Sequence, residues 1–131
     1  MGKTQAVAAV DVPFAPDVTA PGAARSELRA LRLSPGERDI VALLVSELVT
    51  NCVRDAALGT RQRIRMWAQV TDRAIRVEVI DGGAGVALRR TAPPDEGWSL
   101  QLVEELADRW GITQAAGTHV WFELERGDVD A

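Results

Sequence analysis

The apolar residues of this 131-residue chain change period in the middle, near residue 60, and that change limits the folds open to it. From Ser34 to Leu58 they recur at helical spacing, with Val41, Val45, Leu48, Val49, Cys52 and Ala56 forming one broad stripe. From Ile64 they alternate instead. Ile64, Met66, Ala68 and Val70 interleave with Arg65, Trp67 and Gln69, while Ile75, Val77 and Val79 interleave with Arg76, Glu78 and Ile80. Thr71-Asp72-Arg73 leaves room only for a tight turn, so the two runs predict an antiparallel hairpin with one apolar face. A one-sided helix next to a one-sided hairpin buries both apolar surfaces when a helix layer is laid on a sheet layer.

The flanking segments extend that scheme. Val7, Val10, Val12 and Phe14 alternate weakly and predict a first strand over Ala6 to Phe14. Thr19 is placed to cap a helix from Pro21 to Leu31 with Ala24, Leu28 and Leu31 inward, and Ser34-Pro35-Gly36-Glu37 has the form of a capping box that starts the long helix. Gly59 is expected to end that helix. Leu100, Val103, Leu106, Ala107 and Trp110 predict a third helix with Gly111 as its C-cap. Ile112 to Gln114 and Val120 to Leu124 predict a closing hairpin around Ala116-Gly117. The expected fold is therefore α+β, a two-layer sandwich with a mainly antiparallel mixed sheet and three helices on one face. It forms a single domain over residues 5–126, with loose ends at 1–4 and 127–131.

Fifteen Lys plus Arg against 19 Asp plus Glu give a net charge of −4, which offers no general attraction to nucleic acid or an anionic membrane. The lone Cys52 excludes an internal disulfide and suits a reducing compartment. The sequence shows neither a secretory leader nor the roughly 18 apolar residues of a membrane span. These features predict a cytoplasmic protein whose partners are proteins or small molecules.

Four short stretches carry chemistry. Glu47 and Asn51 are four residues apart, so on a helix their Cβ atoms lie roughly 5 to 6 Å from each other. They fall opposite the apolar stripe, and together can hold a water and a hard cation while the carboxylate accepts a proton. Asp81-Gly82-Gly83-Ala84-Gly85 ends a buried strand with one directional acceptor and glycines that admit close backbone approach, which suits adenine and its exocyclic amine. In Gly97-Trp98-Ser99-Leu100 a helix opens with free N–H groups that can receive phosphate. Gly117-Thr118 places a hydroxyl at a strand start. Each has a plainer explanation when taken alone: a solvated helix face, a capped turn, an N-cap, a β-favourable Thr. His119 has no second His to share a metal.

In order, Glu47-x-x-x-Asn51, Asp81-x-Gly83-x-Gly85, Gly97-x-Ser99-Leu100 and Gly117-Thr118 resemble the N, G1, G2 and terminal Gly-Thr boxes of the Bergerat-type ATPase and kinase superfamily. Ser46-Glu47-Leu48-Val49-Thr50-Asn51 and Leu106-Ala107-Asp108-Arg109-Trp110-Gly111 look most like its small anti-sigma-factor serine kinases. The resemblance covers roughly residues 10 to 125. It implies a Bergerat fold and a Mg²⁺-ATP site in which Asn51 ligates the metal, Glu47 is the base, Asp81 binds the adenine amine and Thr118 supports that contact. Asp55, Gly83, Gly85, Gly97, Ser99 and Leu100 would complete the nucleotide site. It also implies a sigma factor or an anti-anti-sigma factor as partner, and a homodimer paired through the sheets near Trp67. Two positions depart from the pattern: Ser99 stands where a second Gly is usual, and Asp55 where a His is common. The short lid, Val86 to Glu96, shields phosphate less. Phosphoryl transfer to a Ser or Thr is one reading; ATP-dependent sequestration of a protein without catalysis is the other.

Overall fold

The computed structural model describes residues 6–57, 63–81, 99–114 and 117–127. Strand β1 (Ala6–Phe14) leads into helix α1 (Ala20–Glu27) and a 3-10 turn over Leu28–Ala30; α2 (Pro35–Ala57) follows. Then come β2 (Ile64–Thr71), β3 (Ala74–Asp81), α3 (Ser99–Leu106), β4 (Arg109–Gln114) and β5 (Thr118–Glu125). The sheet runs β1-β2-β3-β5-β4 and every one of these pairings is antiparallel. β5 lies inside β4, so the last strand reaches the middle of the sheet next to β3. β1 pairs with β2 across the long helix, with Phe14 opposite Ile64.

Alternation decides which face is covered. Ile64, Met66, Ala68 and Val70 of β2, Ile75, Val77 and Val79 of β3, and Val120, Phe122 and Leu124 of β5 all turn inward and are buried. They meet Ala24, Leu28, Val41, Leu44, Val45, Leu48, Val49, Cys52 and Val103 from the helices in a single core. Each fully buried Val, Leu, Ile or Phe here contributes about 1.5 to 3 kcal/mol of transfer free energy, and this drives the two layers together. The capping box is present: Ser34 Oγ accepts from Glu37 N–H at 3.1 Å and Glu37 Oε1 accepts from Ser34 N–H at 2.9 Å.

Three local expectations are corrected. Thr19 does not cap α1, because its backbone is already helical; Asp17 instead accepts from the Thr19 N–H at 2.9 Å and from its hydroxyl at 2.5 Å. Helix α1 stops at Glu27 and the chain tightens into the 3-10 turn before Leu31. The third helix stops at Leu106. Trp110 and Gly111 belong to β4, where Gly111 faces Trp121, and a Cβ at Gly111 would sit 2.8 Å from Trp121 Cζ2. Gly111 is thus needed for close approach of an indole and caps no helix. The proposed cap at Gly59 lies outside the described residues.

Candidate functional site

The two flanks of α2 differ. On one, Arg25 of α1 donates to Ser46 Oγ at 2.9 Å. Glu47 and Asn51 project about 100° and 140° further round, since an α-helix turns about 100° per residue. Glu47 is half-buried, but Asn51 is only 1% exposed. That corrects the expectation of an outward-facing pair. Leu44, fully buried one turn before Leu48, widens the buried sector until it includes Asn51. Leu44, Leu48 and Asn51 lie on one helix face at i, i+4 and i+7, and that spacing is the sequence signal for the burial of Asn51.

Asp81 ends β3 and is 3% exposed; Thr118 opens β5 and is fully buried. They face each other directly in the β3–β5 ladder. Gly117 makes this geometry, because its φ of 120° lets the chain swing into β5 with Thr118 inward, a backbone conformation that a side chain would strain. Among the described residues, Asn51, Asp81 and Thr118 are the buried polar side chains, one from the helix layer and two from the same end of the sheet. All three are engaged inside the protein. Asp55 lies in the last turns of α2, and Ser99 and Leu100 form the first turn of α3, which packs beside α2. Gly83, Gly85, Gly97 and the lid fall outside the described residues.

Against this geometry, a sequence model of the histidine kinase-like ATPase domain matches residues 16–124, spanning α1 to β5 and the whole site. The chain belongs to the histidine kinase-like ATPase family. No match to a curated protein accompanies it. ATP binding follows from family membership, and the buried residues fit the nucleotide. A buried carboxylate oxygen costs free energy unless a donor meets it, and Asp81 Oδ2 is buried without a hydrogen bond from the described residues. An exocyclic amine would meet it. Among the described residues no group of three His, Cys, Asp or Glu forms a metal centre. Mg²⁺ in an ATPase site takes few protein ligands, with waters and phosphates supplying the rest, so the carboxamide oxygen of Asn51 suits it.

The opposite sheet face carries a different chemistry. Asp11, Arg65, Trp67, Arg76, Glu78 and Ile80 line an open groove of about 360 Å³ there. Arg76 stacks 4.3 Å from the Trp121 ring centroid and pairs with Glu123 at 2.7 Å, while Arg109 reaches Glu123 at 2.8 Å. The hydrogen bond from Arg109, helped by Arg76 and opposed by partial burial, holds the Glu123 carboxyl below its ordinary pKa. This groove is separated from Asp81 and Thr118 by the thickness of the sheet. No helix among the described residues is long and apolar enough to cross a membrane.

Proposed function

We propose that this histidine kinase-like ATPase is a cytoplasmic anti-sigma-factor type kinase whose single domain over residues 5–126 phosphorylates a Ser or Thr of an anti-anti-sigma partner. The observation that carries the reading is the juxtaposition of a half-buried Glu47 with a buried Asn51 one turn on, above a sheet end that holds Asp81 and Thr118. Bound Mg²⁺-ATP supplies the γ-phosphoryl group. Asn51 offers the metal one oxygen, Asp81 accepts the adenine amine, and Thr118 supports Asp81 from the facing strand. Asp55, Gly83, Gly85, Gly97, Ser99 and Leu100 complete the nucleotide site. Glu47 is close enough to solvent for an acceptor hydroxyl to reach, and takes its proton.

Incubating the protein with Mg²⁺-ATP and candidate antagonists of sigma factors tests this directly, and the expected result is a phosphorylated Ser or Thr on the partner. Nucleotide binding without transfer to any such partner would replace the kinase with the sequestering regulator, the reading favoured by Ser99 and Asp55. The sheet face turned away from the helices, with Trp67 and Trp121 half-buried, is the surface through which two copies would pair. Sedimentation at high concentration should show a dimer that Trp67→Arg splits; a monomeric wild-type protein would remove this part of the proposal.

A further inference from the structure

Arg126 follows β5 directly and reaches back to the start of α2. Its Nε donates to Glu37 Oε2 at 3.1 Å, Nη1 to the Thr71 carbonyl at 2.9 Å, and Nη2 to Glu37 Oε1 at 3.1 Å and to the Arg32 carbonyl at 3.3 Å. Its backbone N–H also donates to the Arg73 carbonyl at 2.9 Å. The guanidinium thus ties the end of β2, the linker before α2 and the α2 capping box, and the backbone of the same residue ties the β2–β3 turn. The pair is sheltered, with Arg126 and Glu37 side chains 15% and 20% exposed, against 58% and 46% for the Arg65–Asp11 pair on the outer face. Arg38 secures the same helix end by donating to the carbonyls of Leu28 at 2.9 Å and Leu31 at 3.1 Å.

The clasp and the site occupy opposite ends of the same two bodies. Along α2, Glu37 and Asn51 are about 21 Å apart at 1.5 Å per residue. Along the β3–β5 ladder, the Ala74–Glu125 pair and the Asp81–Thr118 pair are about 24 Å apart. Helix and sheet therefore cover nearly the same span, fastened by Arg126 at one end and carrying the polar site at the other. A helix is stiff over four turns, so where its first turn is held decides where Asn51 sits above Asp81. We propose that Arg126 is a positioning residue for nucleotide binding, acting through Glu37 and the α2 rod to set Asn51 against the sheet end that holds Asp81 and Thr118. The proposal rests on the nucleotide reading of that site.

The two ends are then coupled, and coupling is reciprocal. Saturating Mg²⁺-ADP should slow hydrogen exchange at the Glu37 and Arg38 amides of the wild-type protein, although both lie far from Asn51. Arg126→Ala, assayed well below its thermal transition, should bind ADP about five- to tenfold more weakly by calorimetry and lose that distant protection. Arg126→Lys, with a point charge in place of the fork, should fall between. Glu37→Gln keeps an acceptor for the Ser34 N–H while removing the charge that Arg126 grips, and should weaken ADP similarly; it decides the matter if Arg126→Ala does not fold. A merely structural clasp would lower thermal stability and leave ADP affinity of the folded variants unchanged. Wild-type affinity in these variants, with wild-type ADP binding intact, overturns the positioning role alone. Failure of the wild-type protein to bind ADP overturns the nucleotide reading and the clasp with it.

Discussion

The β3–β5 ladder ends in two polar clusters built on opposite plans. At the Ala74–Glu125 end, Arg126 and Glu37 are partly exposed and oppositely charged, two guanidinium N–H groups meet the two carboxylate oxygens, and the Thr71 and Arg32 carbonyls take two more. At the Asp81–Thr118 end, the side chains of Asp81 and Thr118, and of Asn51 from α2, are almost wholly buried. The first arrangement fastens helix to sheet with charged groups of the chain itself. On the proposed reading, the second receives a nucleotide and its cation. Burial alone does not separate structural from functional polarity, because the less buried end is proposed to act on the nucleotide through α2.

The largest test of this contrast is at Glu47. Glu47→Gln keeps shape and polarity but removes the proton acceptor, so phosphoryl transfer should drop by roughly 10² to 10⁴ while ADP binding, measured by calorimetry, stays close to wild type. Transfer at an unchanged rate would return Glu47 to the solvated helix face. Next is Asp81→Asn, which keeps the volume and loses a charged acceptor. ADP should bind more weakly by about 1.5 to 3 kcal/mol, and equal affinity in the two proteins would take Asp81 out of the adenine contact.

The smallest effect belongs to the Arg126–Glu37 end and is read by pH. Partial burial would raise the Glu37 carboxyl, but hydrogen bonds from Arg126 and Ser34 and the guanidinium charge outweigh it and hold the group below its ordinary value of 4.5. Because the folded pKa is the lower one, this stabilisation is fully present above the ordinary value and is lost as pH falls through the folded value. Thermal midpoints followed downward from pH 6 should therefore fall more gently in Glu37→Gln than in the wild type. Parallel curves would mean that Glu37 contributes nothing through its charge.

Most of the architecture was legible because short-range rules governed it. β2 and β3 followed strict alternation, and Ser34 and Glu37 formed the reciprocal cap that their spacing implies. Where two rules competed, local reading failed. Val103, Leu106, Ala107 and Trp110 keep helical spacing, yet the helix ends at Leu106 and Trp110 pairs with Phe122, because a strand of six residues is too short to announce its own period. Asn51 falls outside a buried sector defined by apolar residues alone, although the helix buries it. Glu47, Asn51, Asp81 and Thr118 could each be picked out as chemistry, but the opposition of Asp81 and Thr118 depends on β5 lying inside β4. That order is set by long-range packing, which no local pattern encodes.

The pairing of β1 with β2 also fixes an order in time. Phe14 must wait for Ile64, fifty residues later, and Ala6 for Thr71. During translation at about 5 to 20 residues per second, β1 therefore spends seconds outside the ribosome before its ladder partner exists. The β2–β3 hairpin closes a two-residue connection, Asp72-Arg73, and forms on the scale of about 1 to 10 μs once made. β1 is an edge strand, and its ladder becomes available only after residue 64 has been made. Ala6-Val7-Ala8-Ala9-Val10, with its first charge at Asp11, is the part of the nascent chain with most to gain from a chaperone.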